Sequence, residues 1–211
     1  KVAEGQVDRS LTAQSRAVLD VQEDGLRVVW QMSLAFPRSQ RETFRVRVPS
    51  EYLVEKVEGG NVRGWESRKE NGHQTLEITL LKPAKDGEQF TVRLWRGGAT
   101  GRGPLAEFDV PMVLAPDASL HNGDVTIRRR PLLELRTVSL SGVTRTDVAS
   151  ADERGRSGAA PGMDESPLGI RPHQAYHFVA TPFTIRLAVT PVAARVAAEV
   201  STILKISDYE R

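Results

Sequence analysis

Residues 44–48 read Phe-Arg-Val-Arg-Val and end at Pro49. Apolar and charged side chains alternate strictly, and a period of two sends one set to a buried sheet face and the other to water. The alternation recurs along the chain. Leu26, Val28, Trp30, Met32 and Leu34 share one phase, and Phe90, Val92 and Leu94 stand opposite Thr91, Arg93 and Trp95. Strands patterned this way bury one face against another layer. The expected fold is therefore all-β, an antiparallel β-sandwich built as one large sandwich or as two sandwich-like lobes meeting near residues 97–123. With 211 residues the chain is long enough for either. Residues 1–114 read as one lobe, and 115–211 as a second β-rich lobe or a continuation of the first.

Turn chemistry divides the strands. Glu23-Asp24-Gly25 predicts a hairpin between Ser10–Gln22 and Leu26–Phe36, and Asn71-Gly72 predicts another between Val62–Arg68 and Thr75–Leu81. Pro37–Gln40, Lys85-Asp86-Gly87 and Asn122-Gly123-Asp124 read as further turns. Pro111 marks an edge or a break within Leu105–Leu114. Residues 149–171 concentrate Gly, Pro, Ser, Asp and Arg and read as a long mobile excursion. Residues 192–206 fit a helical stripe and a strand equally. Their echo of residues 13–21 favours a strand and hints at a second copy of the opening unit.

Composition narrows the classes of partner. The 29 Lys and Arg nearly balance the 27 Asp and Glu, which gives no polyelectrolyte signature for nucleic acid. There is no Cys, so disulfides and thiolate metal sites are excluded. No apolar run reaches the roughly 20 residues of a spanning helix. Beginning at Lys1 without an initiator Met, the chain reads as a segment of a longer protein.

Several motifs bear on chemistry. His173 and His177 stand four apart, which suits a metal only on a helix. In the strand expected here their rings lie about 13 Å apart along the chain, so no metal and no other cofactor is expected. Gly97–Gly103 holds four glycines but lacks the Gly-Lys-Ser/Thr and following helix of a phosphate loop. Asp147, Asp152, Glu153, Asp164 and Glu165 gather carboxylates around the long excursion, the pattern a carboxylate-dependent hydrolase would need in a fixed geometry. No Gly-x-Ser-x-Gly elbow is present. Arg45, Arg47 and Arg93, with Arg128–Arg130, Arg136 and Arg186, fall in expected strands, and aligned strands would make them a cationic face for an anionic polysaccharide, a phosphate-bearing partner or an acidic protein. Glu51, Glu55, Glu66, Glu77 and Glu88 argue instead for a charge-balanced outer face. Trp30 is in phase with the core. Trp65 and Trp95 lie among polar residues, where indoles can stack on sugar rings.

Val48-Pro49, Val54, Val57, Gly59, Val62, Trp65 and Leu76-Glu-Ile78-Thr-Leu80 form a cadence over residues 10–95. It resembles β-rich segments of large uncharacterised bacterial envelope proteins. The resemblance implies a non-catalytic structural or interaction module of an envelope-associated protein, periplasmic or extracellular. Its partners would be other domains of the parent chain or another envelope protein. The alternatives are a carbohydrate-binding module ancillary to an enzyme, with polysaccharide as partner, and the carboxylate-dependent hydrolase. The candidate binding residues are Trp65, Trp95, Arg45, Arg47 and Arg93.

Overall fold

The computed structural model describes residues 11–70, 72–98, 106–148 and 169–192. Over these the chain forms eleven strands: β1 (Thr12–Val21), β2 (Gly25–Pro49), β3 (Leu53–Glu58), β4 (Val62–Glu70), β5 (His73–Gly97), β6 (Ala106–Asp109), β7 (Leu120–Arg129), β8 (Leu133–Ser141), β9 (Val143–Thr146), β10 (Arg171–Phe178) and β11 (Thr184–Pro191). The large sheet runs β3-β5-β2-β1-β7-β10-β9, and the small sheet β6-β11-β8. No helix among the described residues is long and apolar enough to cross a membrane.

The inward phase of each strand meets in one core. Trp30, Phe36, Ile78, Phe90, Leu94, Ile127 and Phe178 from the large sheet join Phe108, Leu135, Ile185 and Leu187 from the small one. Each fully buried side chain of this size stabilises the fold by roughly 1.5–3 kcal/mol. The alternation seen in the sequence thus produces the all-β, sandwich-like packing it predicts.

One pairing departs from the antiparallel expectation. β1 and β7 run parallel in unbroken register, from Thr12↔Leu120 to Val21↔Arg129. A parallel pair needs a long crossover, and here β2–β6 supply it.

Three expected turns prove to be strand. β2 continues through 37–40 and β5 through 85–87, each spanning 25 residues. The two turn signals face each other, with Phe36 opposite Asp86 and Gln40 opposite Lys85 across a register shift. Asp86 takes φ +68° there. Residues suited to a turn are used to bend a pair of strands together, and Pro37 is tolerated where the ladder is already broken. This bend lets one edge of β5 accept two partners, β4 along residues 73–80 and β3 along 91–95. The third signal, Asn122-Gly123-Asp124, lies inside β7. A Cβ on Gly123 would fall 2.1 Å from the Ser15 backbone oxygen, so this glycine serves a close approach of backbones and not a turn. The Asp24-Gly25 hairpin and the β4–β5 hairpin, with Gly72 at φ +77°, form as predicted. Most of the expected excursion at 149–171, all but the first residue of the ambiguous 192–206 stretch and the proposed repeat lie outside the described residues.

Candidate functional site

The outer face of the large sheet carries the candidate site, and strand register builds it. Arg16 of β1 pairs with Gln31 of β2 on one side and with Asp124 of β7 on the other. Gln31 pairs onward with Thr91, and Asp124 with His177 of β10. One polar row therefore crosses the middle of the sheet. The neighbouring row reads Gln89, Ser33, Gln14 and Asn122. Between the rows lies an open hollow of about 230 Å³, lined by Gln14, Ser15, Arg16, Gln31, Ser33, Gln89 and Asp124.

These groups are placed but mostly uncommitted. Among the described residues, the side chains of Gln14, Arg16, Gln31 and Gln89 have no hydrogen-bond or ion-pair partner. Asp124 is the exception, since its Oδ1 lies 2.9 Å from Nδ1 of His177. That contact orients the ring and leaves Nε2 as its other nitrogen, without a hydrogen-bond partner among the described residues. The arrangement offers two-way hydrogen-bonding amides, one guanidinium and an oriented imidazole on a rigid floor.

Around this centre the charges pair off. Arg93 donates to Glu58 at 3.2 Å, Arg27 lies 3.8 Å from Glu55, and Arg96 lies 3.8 Å from Glu51. Hydrogen bonds from Lys56 and then Arg93 hold the Glu58 carboxyl below the usual range. Such exposed pairs stabilise by about 1 kcal/mol at most. The charge-balanced reading of the outer face fits these contacts.

The sequence candidates are scattered by the fold. Arg93 and Trp95 share the outer face of β5, where Trp95 pairs with Arg27 and with Leu53. The Trp95 ring lies folded over Gly97, where a Cβ would sit 2.8 Å from it. Trp65 pairs with buried Ile78 and, partly buried, packs against the core. Arg45 and Arg47 stand on the far half of β2, with Arg45 bonded to Asp117 at 2.9 Å and the Arg47 backbone paired with Leu114. No group of three His, Asp or Glu among the described residues is placed to hold a metal.

A second constellation, unnoticed in the sequence, lies directly beneath the hollow. Ser15 points inward from β1, and its Oγ accepts from Trp30 Nε1 at 2.8 Å and meets His121 Nε2 at 2.7 Å. Because the indole must donate, the hydroxyl proton is free to go to Nε2, and the ring turns Nδ1 away from this contact. That Nδ1 is buried without a partner. Burial pushes the His121 pKa down to about 4, and the ring stands edge-on to Phe178 with centroids 5.7 Å apart. Ser15 and His121 are only 2% and 3% exposed, so this Ser–His contact is sealed from any substrate and belongs to the core. Neither residue sits in a recognisable motif. The one sequence signal was Ser15 itself, a polar residue on the inward phase of β1.

No family model matches the chain, and no curated protein matches it. Solved structures do. One described as an M1 zinc metallopeptidase from Deinococcus radiodurans is 13% identical with a TM-score of 0.48, over 92% of this chain and 45% of that one. A mutant of that enzyme bound to a Tyr-Ser-Ala substrate matches at 14% identity and a TM-score of 0.49, with the same coverage. A two-domain mutant form bound to L-arginine matches at 15% and 0.45, over 91% and 45%. The chain spans less than half the length of these proteins. The expectation of a non-catalytic structural or interaction module of an envelope protein is corrected here, because the proteins that match in structure are described as peptidases. At such identities and scores the likeness carries no zinc site, substrate or activity over to this chain.

Proposed function

We propose that the outer face of the large sheet engages a polyhydroxylated polymer, a polysaccharide, across the two polar rows. The observation that carries this reading is the cluster of uncommitted amides, Gln14, Gln31 and Gln89, around the Arg16 hollow. An amide donates and accepts at once, as a sugar hydroxyl does. Gln14 and Gln89 each stand diagonal to Gln31 across one strand pairing, about 7–8 Å away, and the paired sheet holds them in place before a ligand arrives, which lowers the ordering cost of binding. Trp95 lies on the same face, two outward positions along β5 from Thr91. The test is calorimetric titration with a panel of neutral soluble polysaccharides. Gln31→Ala/Gln89→Ala is expected to weaken binding at least tenfold with an unchanged far-UV spectrum. Equal binding by the wild type and this variant, or no binding to any member of the panel, would sink the reading.

A second reading, hydrolysis of the same polymer, draws on the 2.9 Å contact between Asp124 and His177. A carboxylate that orients an imidazole leaves the other nitrogen able to take a proton from water. Release of reducing ends that disappears in His177→Ala but survives in His173→Ala would support it. Equal release by both variants would remove it.

A further inference from the structure

The far half of the large sheet holds a second hollow, chemically unlike the first. Its cavity volume is about 510 Å³. Arg41 and Arg45 of β2 and Arg68 of β4 line it, with Thr43, Thr75, Glu77 and Asp117. The bend at 36–43 and the double edge of β5 create it. Arg68 pairs in register with Thr75 of β5, and Arg45 with Glu77. Three guanidinium groups thus face two carboxylates. Asp117 is already held by Arg45 at 2.9 Å, and that pair is exposed and weak enough to open.

The other two arginines are under-used. Arg68 has no ion-pair partner among the described residues. Arg41 rests its guanidinium 5.9 Å from the centre of the Phe36 ring, with its Nε buried and without a hydrogen-bond partner, so its terminal nitrogens are the ones left to face the hollow. Stacking on an aromatic face pre-orients a guanidinium and reduces the freedom lost when it binds. Two threonine hydroxyls add neutral donors beside it.

We propose that this hollow binds a tetrahedral oxyanion, the sulfate or phosphate group of an esterified sugar or a similar small ester. Planar guanidinium donors converge on such groups with paired, charge-assisted hydrogen bonds. The volume exceeds what a bare anion needs and leaves room for the group that carries it. Glu77 is the element that opposes binding, since it sits opposite Arg45 and reduces the positive field. The site is separate from the polar rows and stands or falls without them.

Amide NMR of the full chain, titrated with inorganic phosphate and with inorganic sulfate, tests the proposal, with sodium chloride at matched ionic strength as the reference. Saturable shifts centred on residues 41, 45 and 68 are expected. Arg41→Gln/Arg68→Gln should weaken binding at least tenfold, and Glu77→Gln should tighten it severalfold. Glucose 6-phosphate and glucose 6-sulfate against glucose then separate the two sources of oxyanion. Shifts that match the chloride reference would overturn the site, as would binding left unchanged in the double variant. If near-UV circular dichroism shows that the double variant is misfolded, Arg68→Gln alone carries the same test, because Arg68 is exposed.

Discussion

Two imidazole contacts lie on opposite faces of one sheet, and burial gives them opposite uses. Inside, His121 meets Ser15 at 2.7 Å, deep in the core and with its pKa pushed down to about 4. Outside, His177 meets Asp124 at 2.9 Å, with its side chain 39% exposed. The inner pair resembles the start of a catalytic triad by residue type and does none of its work, because no substrate can reach it. The outer pair lacks a serine and borders an open hollow. Residue identity alone ranks these two the wrong way round; accessibility decides. Gln14, Ser15 and Arg16 show how finely the division is drawn, since three consecutive residues alternate between the two environments.

The comparison breaks down first where the outer face is itself closed. Arg128 grips Asp20 through two bonds of 2.6 Å, with the side chains only 10% and 13% exposed. This clamp joins the parallel strands β1 and β7. Arg128→Ala would leave a nearly buried carboxylate without its partner, at a cost of about 3–5 kcal/mol. Urea unfolding measures it. A loss below about 1 kcal/mol would mean that the clamp is solvated and that the outer face is open throughout.

The inner face predicts a pH dependence. Burial holds the folded-state pKa of His121 near 4, below the 6.5 of an ordinary histidine. The unfolded chain therefore binds this proton more readily. The stabilisation is complete above pH 6.5 and fades as the pH falls toward 4, by up to about 3 kcal/mol. Stability measured between pH 7 and pH 4 should slope downward in the wild type, and the slope should flatten in His121→Asn. Equal slopes would place the titrating group elsewhere.

How much of this was legible depends on how far apart the cooperating residues are. The Asp24-Gly25 turn fixes a hairpin in which Gln14 must meet Ser33 and Arg16 must meet Gln31, so half of each polar row followed from local sequence. The other half did not. Asp124 and Gln89 join through strands about 60–110 residues from β1 and β2, and no local pattern announces a parallel β1–β7 pair. The same blindness misread Pro37–Gln40, Asp86-Gly87 and Asn122-Gly123. Turn propensity describes what a backbone can do, whereas a partner strand decides what it does. Arg45, Arg47, Arg93, Trp65 and Trp95 stand out by residue type, and tertiary pairing claims several of them. Glu58 holds Arg93, Asp117 holds Arg45, and the core takes Trp65.

The finest test of the two faces uses adjacent residues of β1. Ser15→Ala removes the acceptor for the Trp30 indole and the partner of His121, leaving buried polar groups unpaired. The expected cost is about 2 kcal/mol. Gln14→Ala, one residue away on the exposed side, should change stability by less than about 0.5 kcal/mol. Thermal unfolding of the two variants side by side reads both values, and polysaccharide titration of the same samples should reverse their order, with Gln14→Ala the weaker binder. Were Gln14→Ala the more destabilised of the two, the outer amides would be structural members of the sheet. They would then be committed to the fold and would not be free to bind a polysaccharide.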